Sequence, residues 1–212
     1  MSFFSDIYSV IVNLDTYLAE VTAEYGKTTY LLLFLIIFCE TGLVIAPFLP
    51  GDSLLFLVGT FVARGDFDFY AIAVSLTIAA ILGDALNYYI GSFLGRKVFL
   101  SGKSRFLKQE YLERTERFFE KYGAKTIIIA RFVPIVRTYA PFVAGVANYS
   151  YPQFLLFNVI GAVVWVFGLT GAGFYLGELP FVKNNLSAVI FIIIFLSIMP
   201  ALIEWLKFRF RK

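Results

Sequence analysis

The sequence predicts an all-α, polytopic membrane protein, and three observations predict it. Apolar residues fill 59% of the 212 positions and the mean hydropathy is +0.79, more than a soluble domain can shield from water. Some apolar stretches have the length of a membrane span, while others are shorter and broken by Pro and Gly. The two halves of the chain also follow one order of elements. The expected architecture is a helical bundle of two inverted repeats, each holding a broken, re-entrant-type helical hairpin. Discontinuous helices that meet near the bilayer midplane are the hallmark of such repeats.

Residues 1–28 come first. Ile7, Val10, Ile11, Leu14, Tyr17, Leu18 and Val21 recur at helical spacing, with Asp6, Asn13, Asp15 and Glu20 between them. That pattern predicts an amphipathic helix at the interface or packed on the bundle. The N-terminus lacks a basic region ahead of its apolar residues, so no cleavable signal is expected. The first repeat occupies 29–95. Tyr30–Pro50 is apolar except for Glu40 and ends in a break carrying Pro47, Pro50 and Gly51. Ser53–Ala63 is apolar but, at 11 residues, too short to cross a core of about 30 Å. The two pieces form a helix–break–helix hairpin, and full crossing or re-entry of the first both stay open. Arg64–Asp68 is a turn, and Phe69–Gly95 is long enough to span.

A polar connector follows over 96–125. Glu110, Glu113, Glu116 and Glu120 alternate there with Arg114, Arg117 and Lys121, as on a solvated helix. The second repeat, 126–177, comprises a broken segment, Thr126–Gly145 with Pro134 and Pro141, and the uncharged span Pro152–Gly177. Residues 178–212 hold a last span, Asn184–Ile203, and a basic tail. Thirteen of the 18 Lys and Arg lie in 96–125 and 207–212, which places both segments on the cytoplasmic side.

The duplication is visible in short motifs as well as in element order. Phe56-Leu-Val-Gly59 matches Phe142-Val-Ala-Gly145, and Gly91-Ser-Phe-Leu-Gly95 matches Gly173-Phe-Tyr-Leu-Gly177. The first long span runs inward and the second outward, so the repeats are expected to be inverted.

Charges inside the broken segments are the candidate site. Glu40, Asp52, Arg131 and Arg137 lie in or beside apolar sequence, where a charge costs roughly 2.5–3.5 kcal/mol even on the lenient insertion scale. Such charges are retained with mutual pairing or a function. Arg131 and Arg137 stand six apart with Pro134 between them; a straight helix would turn them to different faces, and a break at Pro134 lets both face one cavity. Guanidinium forks suit phosphate or carboxylate, so the pair is either an anion cradle or the cationic half of structural bridges to Glu40 and Asp52. Burial favours a neutral carboxyl and a nearby arginine a charged one, which makes Glu40 the candidate proton-coupling group. Asp52 is expected to cap a helix beginning at Ser53. Asp84 is either a third carboxylate of the site or a residue facing the cytoplasmic vestibule. Asn158 is expected to make an interhelical hydrogen bond, and Trp165 and Trp205 to be packing or interface residues.

Other chemistries are disfavoured. The chain has no histidine, so Ser-His and Cys-His catalysis and histidine metal ligands are out of reach. Cys39 is the only cysteine and reads as a small buried apolar residue. No enzyme activity, metal, cofactor or nucleic-acid partner is expected.

The stretches Phe38–Phe56, Gly83-Asp-Ala-Leu-Asn-Tyr-Tyr-Ile-Gly91 and Arg131–Gly145 resemble the DedA family, also described as VTT or SNARE-associated membrane proteins, over most of the chain. The resemblance implies a flippase of phosphorylated lipids in the bacterial inner membrane, most notably one that recycles undecaprenyl phosphate and draws on the proton motive force. It places the family's functional acids and arginines on Glu40, Asp52, Arg131 and Arg137. Eukaryotic relatives act as phospholipid scramblases, which is one alternative; a proton or small-ion exchanger and a structural factor with a fixed salt-bridge network are others. The implied partners are a lipid phosphate, membrane lipids and protons, with the protein a monomer or homodimer.

Overall fold

The computed structural model of the chain describes residues 14–43, 51–95, 123, 126–131, 134–186, 188–190, 192, 193, 195 and 199, and every regular element among them is helical. The helices are α1 (Leu14–Tyr25), α2 (Thr28–Gly42), α3 (Gly51–Arg64), α4 (Phe69–Ile90), α5 (Pro134–Val146), α6 (Tyr151–Leu176) and the short α7 (Pro180–Asn184). A π-helical turn, Gly91–Gly95, extends α4. Residues 126–130 are helical and end in a turn at Arg131. The expected break at Pro47 and Pro50, nearly all of the 96–125 connector, residues 1–13 and most of the last span with its basic tail lie outside the described residues.

Two elements carry the membrane character. Phe69–Leu94 and Tyr151–Leu176 each have 26 residues and an apolar composition. At 1.5 Å per residue that is about 39 Å, more than the roughly 30 Å of hydrocarbon. Tyr70, Val74, Ile78, Leu82, Leu86, Tyr89 and Phe93 form an exposed apolar stripe along the first. Leu156, Val159, Ile160, Val163 and Val164 do the same on α6. An apolar face of that length is stable in lipid and not in water. The chain is an all-α membrane protein.

Local chemistry sets the helix ends. Gly26, with φ of 51°, closes α1 through a hydrogen bond from its N–H to the Thr22 carbonyl, the left-handed stop that glycine supplies without strain. Asp68 opens α4: its carboxylate accepts from Ala71 N at 2.7 Å, satisfying one of the helix's orphan donors. Asp52 does not cap a helix beginning at Ser53. The helix starts at Gly51, so Asp52 lies inside the first turn, where the N–H dipoles still favour an anion. Gly51 is therefore the first residue of a helix. Pro141 does not end its helix, because α5 runs through it from Pro134 to Val146. A proline inside a helix removes one hydrogen bond without ending it when neighbours hold both turns. Pro134 sits at the first position of α5, where its missing N–H is not needed.

The described residues within Met1–Leu35, Pro50–Ser75 and Val166–Lys212 form one compact unit, and those within Ile36–Leu49 and Leu76–Trp165 a second. Each unit draws on both halves of the chain. Each is also organised around one kind of contact, a helix crossing made possible by glycine. In the first unit, a Cβ on Gly59 would strike the Thr170 carbonyl and a Cβ on Gly173 the Phe56 carbonyl. In the second, a Cβ on Gly145 would strike the Tyr88 carbonyl and one on Gly91 the Phe142 carbonyl. These are the glycines of the two motif pairs recognised in the sequence. Around Gly145 lies a core of Tyr88, Ile127, Ala144, Ala147 and Phe154, with the Tyr88 and Phe154 rings stacked at 4.7 Å. The Tyr88 hydroxyl donates to the Tyr149 carbonyl. In the first unit Phe69 packs on Phe167 and Phe174, with ring centroids 6.0 and 5.7 Å away.

The crossings predict a sharp split among glycine variants. Gly145→Leu and Gly59→Leu force backbones apart and should lose about 3 kcal/mol or more. Gly168→Ala and Gly171→Ala meet nothing within 4 Å and should leave thermal melting in detergent unchanged or slightly raised, since alanine is the better helix former.

Candidate functional site

The second unit gathers the buried polar side chains. Glu40 comes from the last turn of α2, Asp84 and Asn87 from α4, Arg131 from the turn after residues 126–130, Arg137 from α5, and Asn158 and Trp165 from α6; all are buried. The end of α2 can lie on α4 because of Gly83. A Cβ there would strike the Thr41 hydroxyl and come 2.8 Å from the Phe38 carbonyl. That close approach sets Glu40 beside the residues that follow Gly83.

The arginines are held separately. Arg137 Nη2 donates to Glu40 Oε1. Arg131 Nη2 donates to Asp84 Oδ2 and to Asn158 Oδ1. Asn158 in turn donates to the Ile81 carbonyl at 3.1 Å, which orients its oxygen toward the guanidinium. Both guanidinium groups face the indole of Trp165, Arg137 at 4.7 Å and Arg131 at 5.7 Å from the ring centroid, within cation–π range. Asn158, Gly161 and Trp165 follow one another at i, i+3 and i+7, so one face of α6 forms the bed of Arg131. Gly161 is the floor of that bed: a Cβ there would lie 3.3 Å from Arg131 Cδ and Nε.

Asn87 performs a second structural task. Its amide nitrogen donates to the Thr41 carbonyl at 3.1 Å and to the Thr138 carbonyl at 2.8 Å. Thr41 lies in the last turn of α2, whose carbonyls have no helical partner. One amide therefore closes that helix end and ties it to α5.

Thr41, Asp84, Ile127, Ala130, Arg131, Arg137, Ala140, Pro141 and Trp165 line a cavity of about 10 Å³, room for about one water molecule. Arg131 Nη1 is buried and meets no acceptor among the described residues. A buried guanidinium nitrogen beside a cavity of one-water size has room for a water as acceptor.

The structure thus brings Glu40, Asp84, Arg131 and Arg137 together. Asp84 faces Arg131 inside the protein. Asp52 belongs to the other unit, half-buried in the first turn of α3. Cys39 is only half-buried. Sequence reasoning missed Trp165, taken for packing, and Asn87. The signal was the i, i+3, i+7 spacing of Asn158, Gly161 and Trp165, matched on α4 by Asp84, Asn87 and Gly91.

Residues 49–175 match the VTT domain family. That stretch contains Asp52, Asp84, both arginines and Trp165, and begins past Glu40. The chain is 50% identical over 201 residues to the protein DedA of Escherichia coli strain K12, covering 94% of this chain and 92% of that one. It is 45% identical to an uncharacterized membrane protein of Mycobacterium leprae, over 82% of this chain and 78% of the other. It is 38% identical to the inner membrane protein YqjA of Escherichia coli strain K12, over 71% of this chain and 69% of that one. No solved structure matches the chain.

The pairing predicts a non-additive stability cycle. Glu40→Ala leaves the Arg137 cation buried without its carboxylate and should cost about 3–5 kcal/mol. Glu40→Ala combined with Arg137→Met removes both charges and should recover most of that loss, read as detergent melting temperatures across the four proteins. An equal loss in the single and double variants would show that the pair is not the unit of stability.

Proposed function

The chain belongs to the DedA family of VTT-domain membrane proteins, and we propose that it is a flippase for lipids with a phosphate headgroup, undecaprenyl phosphate first among them, in the bacterial inner membrane. The observation that carries this reading is the pair of buried arginines on one cavity, with an Arg131 donor that meets no acceptor among the described residues. Two guanidinium forks offer the planar, two-pronged donors that phosphate accepts. The lipid tail stays in the bilayer while the headgroup crosses between them.

The cavity is too small for a phosphate, so the carboxylates must leave the arginines before a headgroup can enter. Protonation of Glu40, or of Asp84, weakens its arginine pair and supplies that step. The proton motive force is then the driving force. Alternating access follows if the two halves are inverted repeats with re-entrant hairpins and one rocks on the other. The basic connector and C-terminal tail lie on the cytoplasmic side in this arrangement. With no histidine in the chain, a carrier fits better than an enzyme.

Reconstitution in liposomes with labelled undecaprenyl phosphate, a phospholipid control and an imposed pH gradient tests the reading. Wild-type protein should flip the prenyl phosphate faster than the phospholipid and respond to the gradient; equal rates for both lipids would favour a scramblase. Arg131→Lys keeps the charge but loses the fork, and flipping should fall about tenfold or more, the scale of one lost charge-assisted hydrogen bond. Glu40→Gln resembles the protonated acid in shape and charge. It should still flip lipid phosphate while losing the response to the gradient. If wild type and Glu40→Gln respond equally, Glu40 is not the coupling group and Asp84 is next.

A further inference from the structure

The two guanidinium groups are like charges drawn to one place, and each has two kinds of partner. Glu40 on α2 pairs with Arg137 and Asp84 on α4 with Arg131. Trp165 on α6 faces both, at 4.7 and 5.7 Å. The indole is 1% exposed and lines the same cavity as the arginines, so the surrounding packing fixes its orientation. Its negative face offsets the repulsion between the cations without neutralising either or using any of their N–H donors.

We propose that Trp165 is the positioning residue of the phosphate site, keeping both guanidinium groups on the cavity when the carboxylates let go. The inference rests on the lipid-phosphate reading above. In the closed arrangement the carboxylates alone could orient the arginines. In the substrate-bound arrangement they have withdrawn, and the cation–π contacts maintain the spacing of the two forks. Asn158 assists on the Arg131 side. An aliphatic side chain at position 165 would fill much of the space and supply none of this.

The test uses Trp165→Phe and Trp165→Leu in the flipping assay, with lipid phosphate varied at fixed protein. Loss of the cation–π contacts should raise the half-saturating lipid phosphate about tenfold for Trp165→Leu. Trp165→Phe keeps an aromatic face and should stay nearer wild type, and the maximal rate should change much less in both. A purely structural role predicts a different readout: Leu and Phe both shrink the side chain, and the loss would fall on melting temperature and maximal rate while half-saturation stayed at the wild-type value. A second measurement covers poor folding of the Leu variant. The chain has two tryptophans, so Trp205→Phe leaves Trp165 as the sole emitter. Its emission should shift as a short-chain polyprenyl phosphate is titrated in detergent, with a midpoint matching transport. Normal transport with unmoved emission, or equal half-saturation for Leu and wild type, overturns the role of Trp165 and leaves the flippase intact. A wild-type protein that neither flips nor binds the lipid phosphate overturns both.

Discussion

Burial of paired charge is the constraint on which the second unit depends. Four ionised side chains inside apolar protein are tolerable only if each is matched and hydrogen-bonded, because desolvation alone costs several kcal/mol per ion. The Glu40–Arg137 and Asp84–Arg131 pairs meet that demand, and the neighbouring backbone is arranged to let them meet. The end of α2 presses on Gly83, the chain turns at Arg131, and Asn87 satisfies the carbonyls of Thr41 and Thr138. Remove the pairs and these irregularities have no reason to persist at membrane depth, where broken backbone must be satisfied inside the protein.

The glycine crossings explain how helices can be brought near enough for this. In lipid, helices gain nothing from hiding apolar surface, so close backbone approach and dispersion do the work. Gly59 with Gly173, and Gly91 with Gly145, give each unit one such crossing. The second crossing adjoins the arginine site: α5 carries both Gly145 and Arg137, and α4 carries Asp84 and runs into the π-helical turn that opens at Gly91. A helix pinned by its glycine at one end has little freedom to misplace its charge at the other.

Much of this was legible in the sequence. Hydropathy and length located α6, and α4 together with its π-helical extension, to within a residue, because a long apolar run in lipid has one stable form. The repeated glycine motifs were legible as a duplication, and the structure shows that their glycines sit at helix crossings. Cost at membrane depth singled out Glu40, Asp52, Arg131 and Arg137, and all but Asp52 fall in the second unit. Other features could not be read. Pro141 signals a break in a lone segment, and only tertiary packing lets a helix continue through it. Asp52 next to Pro50-Gly51 looks like a cap, yet the helix begins at Gly51, two residues before the expected Ser53. Asp84 had two equal readings until Arg131 was placed opposite it. Trp165 was hidden because a tryptophan in an apolar run is ordinary by composition. What distinguishes it is two cations on its ring, and they come from residues 28 and 34 positions away in the chain.

The pairing that makes the site stable also closes it. Arg131 and Arg137 carry two positive charges, and Glu40 and Asp84 when ionised carry two negative ones. A phosphate monoester carries about −1.5 to −2 at neutral pH, so it can replace the two carboxylates with little change in the net charge of the site. In the proposed carrier the acids are thus stand-ins for the substrate. Taking up protons on them while a headgroup enters keeps the buried charge balanced at each stage. An entering phosphate without protonation would leave an excess of negative charge in low dielectric, and protonation without a phosphate would leave two bare cations. Both intermediates are costly for the same reason that the resting pairs exist. Coupling of proton and lipid movement needs no separate device in such a site, since it follows from the cost of an unmatched charge where water is scarce.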